Sequence, residues 1–156
     1  MQLEFDQWRQ IASQMITASP HAKAIGMHLF ALDRDHAILR VPYSPDLVGD
    51  PDTGVIAGGV VTTLLDHACG QAVGAAMTQH VPVATLDLRI DYMRPAEPGL
   101  DLFAYAHCYK LTKRIGFVRA EAYEKDRSDP VAAAQGAFSL NLNFFKRIKS
   151  EGEGGE

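Results

Sequence analysis

Cysteine is scarce in this sequence. Only Cys69 and Cys108 occur in 156 residues, with no Cys-x-x-Cys pair and no cysteine–histidine spacing of the metal-ligand kind. That pattern excludes a disulfide scaffold and a zinc cluster, and it fits a reduced, cytoplasmic protein with no metal. Positive charge is not in excess either: the net charge is −4, and lysine and arginine are spread along the chain. Nucleic acid is therefore not an expected partner. The opening MQLEFDQWRQ lacks the form of a secretory signal. No internal repeat and no shift in composition divides the chain, and 47% hydrophobic residues suffice for a sizeable core. Residues 1–148 read as one domain, and the charged, glycine-rich end 149–156 reads as a disordered tail.

Lysine, arginine and glutamate are missing altogether from Val55–Met77, VIAGGVVTTLLDHACGQAVGAAM, which carries one acidic residue, Asp66, at its middle. The length suggests a membrane span, but a central aspartate costs about 2.5–3.5 kcal/mol on insertion. Its four glycines and two threonines add little hydrophobicity. The run is instead expected to be a helix buried inside the protein, with Gly70, Ala72, Gly74 and Ala75 allowing a sheet to approach closely.

The remaining chain supplies that sheet. Phe5, Trp8, Ile11, Ala12, Met15 and Ile16 recur at helical spacing, so an amphipathic surface helix is expected before Ser19-Pro20. Gly26–Leu32 and His36–Pro42, separated by Asp33-Arg34-Asp35, predict a hairpin. Pro42 to Asp52 reads as loop. After the apolar helix, Leu86, Leu88, Ile90 and Tyr92 alternate with Thr85, Asp87, Arg89 and Asp91, which predicts a half-buried strand ended by Arg94-Pro95. Strands are further expected at about Asp101–Leu111, Gly116–Lys125 and Val131–Phe144. In the last, Phe138, Leu140, Leu142 and Phe144 face inward. The order gives an α+β fold: one long buried helix across a curved antiparallel meander, with an additional N-terminal helix.

The segments DPDTGVIAGGVVTTLLDHACG and TLDLRIDYMRPAEPG resemble the phenylacetic-acid-degradation (PaaI-like) thioesterases of the hot-dog superfamily. That family is marked by His-Gly-Gly with an acidic residue seven positions on. Gly58, Gly59 and Asp66 match the mark, and Thr85-Leu86-Asp87 and Tyr92-Met93-Arg94-Pro95 stand in the expected places. The resemblance implies hydrolysis of an acyl-CoA thioester without metal or redox cofactor, by a homodimer that often pairs again into a tetramer. Two positions depart from the pattern. Ala57 stands for the motif histidine, at a position that contributes to substrate binding, and Pro51 falls where an asparagine is usual.

The chemistry is also readable from the residues. Thioester hydrolysis needs a donor for the oxygen that becomes negative, and a base or nucleophile. The N–H groups of Gly58 and Gly59 lie where a helix start has unpaired donors and its positive dipole end. Asp66 supplies the second function, as nucleophile or as general base; the sequence leaves both open. Gly58 and Asp66 stand eight residues apart, roughly 12 Å along one helix, yet both must reach one carbonyl. Two antiparallel helices related by a two-fold axis satisfy this, so the site is expected to be shared between subunits.

A plainer reading stands beside each residue. Asp66 also fits a hydrogen-bonded buried carboxylate, Gly58-Gly59 a tight turn, and Thr85, aligned with a water-orienting hydroxyl in relatives, an ordinary strand residue. His67 points about 100° away from Asp66 and reads as packing or surface. Cys69 and Cys108 read as small buried hydrophobes. Arg94, Lys113 and Arg114 are expected at the CoA phosphates. The competing function is a non-catalytic acyl-CoA binding module of the same fold.

Overall fold

The computed structural model describes residues 5–78 and 82–140. The expected inward positions Leu142 and Phe144 and the tail 149–156 lie outside the described residues. Helix α1 (Phe5–Ala18) buries Trp8, Ala12 and Ile16, a spacing of four that forms one stripe. A short second helix, α2 (Pro20–Ala24), follows. Pro20 suits a first-turn position, and Ser19 accepts a hydrogen bond from the Ala22 N–H at 3.4 Å.

The hairpin forms from β1 (His28–Asp33) and β2 (His36–Val41). The expected loop after it contains a single 3₁₀ turn (Pro45–Leu47) and a small ribbon, β3 (Val48–Asp50) paired with β4 (Val55–Ile56). Gly54 turns this ribbon at φ +76°, a conformation that favours glycine.

Helix α3 (Gly58–Ala76) is the apolar run, and Leu64, Leu65, Ala68, Cys69, Ala72 and Val73 are completely buried. It lies on β2, on β6 (Leu102–Leu111) and on β7 (Ile115–Tyr123). A Cβ at Gly116 would come within 2.6 Å of Val73. The bare glycine therefore lets the helix sit directly on the strand.

The six-stranded antiparallel sheet runs β1-β2-β6-β7-β8-β5, with β5 at Val83–Tyr92 and β8 at Ala132–Leu140. The meander comprises β6, β7 and β8 only. Strand β5 pairs with β8 along the far edge, not with β6. Three strand spacings are roughly 14 Å, which residues 93–101 cross easily. One expected pattern fails here: Leu86 and Tyr92 are 59% and 53% exposed. The register shifts between Thr85 and Asp87, so Leu86 is the extra residue of a bulge; Tyr92 keeps the parity of Leu88 and Ile90 and is exposed at the end of the edge strand. Leu88 and Ile90, beyond the bulge, are half-buried.

Candidate active site

The start of α3 is held from below by backbone. The Ala57 N–H donates to the Leu47 carbonyl at 2.9 Å. A Cβ at Gly49 would stand 2.8 Å from the Ala57 Cα, so the loop needs a glycine to come this close. Further back, the Asp101 carboxylate receives the Tyr43 N–H at 2.8 Å and the Arg40 guanidinium, while the Tyr43 hydroxyl donates to the Gly54 carbonyl at 3.0 Å. These bonds fix where the helix begins.

Gly58 and Gly59 are exposed, and nothing lies within 4 Å of a Cβ built on Gly59. Ala57, the cap residue, makes no side-chain capping bond. The N–H groups of a first helical turn have no carbonyl one turn earlier to bind. They therefore face an open approach at the positive end of the helix dipole.

Tyr92 adds a feature that sequence reasoning missed. Its hydroxyl donates to the Gly58 carbonyl at 3.1 Å and touches the Thr62 hydroxyl, which itself bonds to the same carbonyl at 3.2 Å. That carbonyl shares its peptide group with the Gly59 N–H, so bonds to the oxygen polarise the N–H. No spacing announced it: seven residues from Thr85 would put Tyr92 on the opposite face of a regular strand, and only the bulge at Leu86 turns both toward α3.

Asp66, half-buried, sits eight residues along α3, and Thr85 of β5 donates its hydroxyl hydrogen to Asp66 Oδ1 at 2.7 Å. The fold thus brings together two expected site residues that stand nineteen positions apart in the chain. Both open onto an apolar cleft of about 270 Å³ between α1, α3 and the β5 edge. His67 is not directed at the carboxylate; its Nδ1 lies 3.1 Å from the Thr63 carbonyl of its own helix. The Cys69 thiol is buried, and burial first and the Asp66 charge second push its pKa upward. It stays protonated and is no nucleophile.

The basic residues are not brought together. Arg94 donates to Glu124 Oε1 at 3.0 Å and Oε2 at 2.6 Å, to the Asp129 carbonyl at 2.7 Å and to the Pro95 carbonyl at 3.2 Å. Its Nε lies 3.3 Å from the Asp129 carboxylate. Both terminal nitrogens of Arg94 are thus bonded, and the side chain ties the segment after β5 to the β7–β8 turn. Lys113 and Arg114 are exposed in the β6–β7 turn, where the Arg114 carbonyl accepts the Leu140 N–H at 2.8 Å. Leu140 pairs with Val83 and Ala132 with Tyr92, so Arg94 and Arg114 mark opposite ends of β5, roughly 30 Å apart.

Among the described residues, Asp35, His36 and His107 could offer ligands to a metal. The two imidazoles, however, stack in parallel at 4.3 Å with 4° between planes. Parallel rings do not aim nitrogen lone pairs at one ion. This trio belongs to the β1–β2 turn and β6, away from Asp66 and the glycines.

Residues 53–131 match the sequence pattern of the Thioesterase superfamily. The chain is 25% identical over 130 residues to the medium/long-chain acyl-CoA thioesterase YigI of Escherichia coli K12, covering 75% of this chain and 83% of that one. Among solved structures, a Pseudomonas aeruginosa protein is 39% identical with a TM-score of 0.78, over 85% of this chain and 98% of its own. The Escherichia coli PaaI protein of the phenylacetic acid degradation operon shares the fold, with a TM-score of 0.76 at 21% identity over 88% and 96%. The family match spans half the chain, from the ribbon before α3 through the bulged β5 to the start of β8, and so takes in both the glycine turn and the aspartate. This protein belongs to the thioesterase superfamily and has its hot-dog fold.

Proposed function

We propose that this protein hydrolyses an acyl-CoA thioester to the free acid and CoA, at a site shared between two subunits. The observation that carries the reading is the Thr85–Asp66 bond at 2.7 Å on the helix whose first turn presents Gly58 and Gly59. Thr85 binds one carboxylate oxygen and leaves the other to act. In the general-base course, that oxygen removes a proton from water as the water oxygen bonds to the thioester carbon. The carbonyl electrons move onto oxygen, where the Gly58 and Gly59 N–H groups receive the charge. Collapse breaks the C–S bond and releases CoA as its thiolate. In the nucleophilic course, Asp66 attacks the thioester carbon and expels CoA as its thiolate to form an acyl anhydride, which water then cleaves to the free acid and the Asp66 carboxylate.

The two halves lie roughly 12 Å apart on one helix, so one chain does not supply both. Strand β5 is the edge of the sheet, and Leu86, Tyr92 and Met93 along and beside it are 59%, 53% and 57% exposed. An unpaired edge with exposed apolar side chains favours pairing with a second copy. Antiparallel pairing there would set the glycines of one α3 beside the aspartate of the other, with the opposite subunit's Lys113 and Arg114 on the glycine side for the CoA phosphates. A further pairing of dimers into a tetramer follows the same family logic.

The relative named as a medium/long-chain acyl-CoA thioesterase supports CoA esters as substrates. No helix among the described residues is long and apolar enough to cross a membrane, and the cysteine usage agrees with a cytoplasmic setting. The binding-module alternative draws on Ala57 in place of the motif histidine. Release of free thiol from a panel of acyl-CoA esters decides: turnover that depends on Asp66 supports hydrolysis, and tight binding without turnover supports the module.

A further inference from the structure

The cleft beside Asp66 has a construction of its own. Asp66, Gly70 and Gly74 follow one another at intervals of four and share one face of α3. The two glycines leave that face bare beyond the carboxylate. Over them lie Trp8, Met15 and Ile16 of α1, with Val83 and Phe138 closing the side. A Cβ at Gly70 would rest 3.8 Å from the Phe138 ring, whereas one at Gly74 would meet the Trp8 ring at 2.8 Å. The trough is therefore open at Gly70 and stopped by Trp8 at Gly74, roughly 12 Å from the carboxylate.

We infer that this trough under α1 holds the acyl chain of the substrate, and that it is built for an unbranched aliphatic acyl group of about ten carbons at most. The thioester's place at Asp66 rests on the function proposed above; the occupant of the trough follows from covalent attachment. A thioester carbon held at Asp66 carries its alkyl chain with it, and the apolar space that continues from Asp66 is this one. Its size sets the length. The run from the carboxylate to the Trp8 stop is roughly 12 Å, which an extended alkyl chain of about ten carbons spans. Met15, 47% exposed, forms the rim, and its flexible thioether adapts to chains of different length. The N-terminal helix thus acts as the gauge of acyl length.

Trp8 is the chain's single tryptophan and stands at the end of the trough, so its fluorescence reports occupancy independently of turnover. Two measurements are made on wild type, Gly70→Leu and Met15→Phe, each checked for folding by circular dichroism. The first is kcat/KM for CoA esters from butyryl to palmitoyl. The second is Trp8 emission on titration with decanoyl-CoA, decanoate and CoA alone. The wild type should peak at eight to ten carbons, and its emission should shift with decanoyl-CoA and decanoate but not with CoA. The decanoyl-to-butyryl ratio of kcat/KM should fall at least tenfold in Gly70→Leu and at least threefold in Met15→Phe, with the emission response weakened in both. A ratio unchanged in folded variants, or emission that responds to CoA alone, overturns the assignment. If wild type cleaves no ester, the hydrolytic reading fails and the fluorescence titration still decides whether the trough takes an alkyl chain.

Discussion

Thr85 on the edge strand β5 donates to Asp66 on the central helix across 2.7 Å, which fixes one carboxylate oxygen beside the cleft that both residues line. Asp66→Asn preserves the shape and removes the charge. It should lower kcat by a factor of about 10³ or more, with the melting temperature and circular dichroism close to wild type. Retention of a tenth of the activity would remove Asp66 from the chemistry.

Replacing Thr85 separates positioning from packing. A hydrogen bond to a charged group contributes about 1.5–3 kcal/mol, so Thr85→Val should reduce kcat by roughly 10- to 100-fold at nearly constant KM, and Thr85→Ser should restore most of it. Loss in Thr85→Ser with Thr85→Val unaffected would mean that the methyl group, not the hydroxyl, matters.

Subunit mixing tests the shared site. Gly58→Pro removes the proposed donor, and Asp66→Asn removes the acid; each homodimer should be inactive. A heterodimer has one site with both sound halves, so exchange, followed by native mass spectrometry, should return activity towards half of wild type. Exchange without recovery would place both functions on a single chain.

The Arg94–Glu124 pair belongs to stability. The Glu124 side chain is 3% exposed and receives the Glu97 N–H at 2.7 Å in addition to the arginine. Burial pushes its carboxyl up, but the bonds from Arg94 and the Glu97 N–H outweigh this and hold it below its ordinary value of 4.5. A depressed native pKa stabilises the fold above the unfolded value and loses that contribution as pH falls through the native one. Arg94→Ala should therefore cost on the order of 3 kcal/mol at pH 7. In thermal melts its deficit should shrink as pH falls below the ordinary carboxylate value of 4.5 and through the lower native one; a deficit that stays constant on acidification would assign the effect to lost packing.

Lys113 and Arg114 are exposed, and contacts of such residues with phosphate are screened by salt and individually weak, about 1 kcal/mol. The double alanine variant should raise KM for a CoA ester several-fold, less so at 0.5 M salt, while KM for the same acyl group on a short pantetheine thiol stays put. Equal damage to both substrates would show that the turn supports the acyl site.

Much of this was legible before folding. An uncharged run that is apolar all round requires a buried helix, and the two-residue period of the later apolar side chains supplies the layer of strands that covers it. A lone aspartate in an otherwise uncharged helix marks a position that needs a special environment. Gly58 and Gly59 were equally visible, since a helix start without side chains is an open set of donors.

What the sequence determined by itself is therefore the set of elements and the residue types able to do chemistry. Only the tertiary structure decided their partners. Strand β5 lies against β8 instead of β6, a bulge at Leu86 turns Thr85 and Tyr92 together toward α3, and Arg94 meets Glu124, thirty residues away, instead of facing outward. Tyr92 reaches Gly58, and Trp8 closes a trough that begins at Asp66. The reason is physical: periodicity is a local property of consecutive residues, whereas pairing, bulging and close approach depend on which surfaces meet after the chain has folded back. No short-range pattern encodes that meeting.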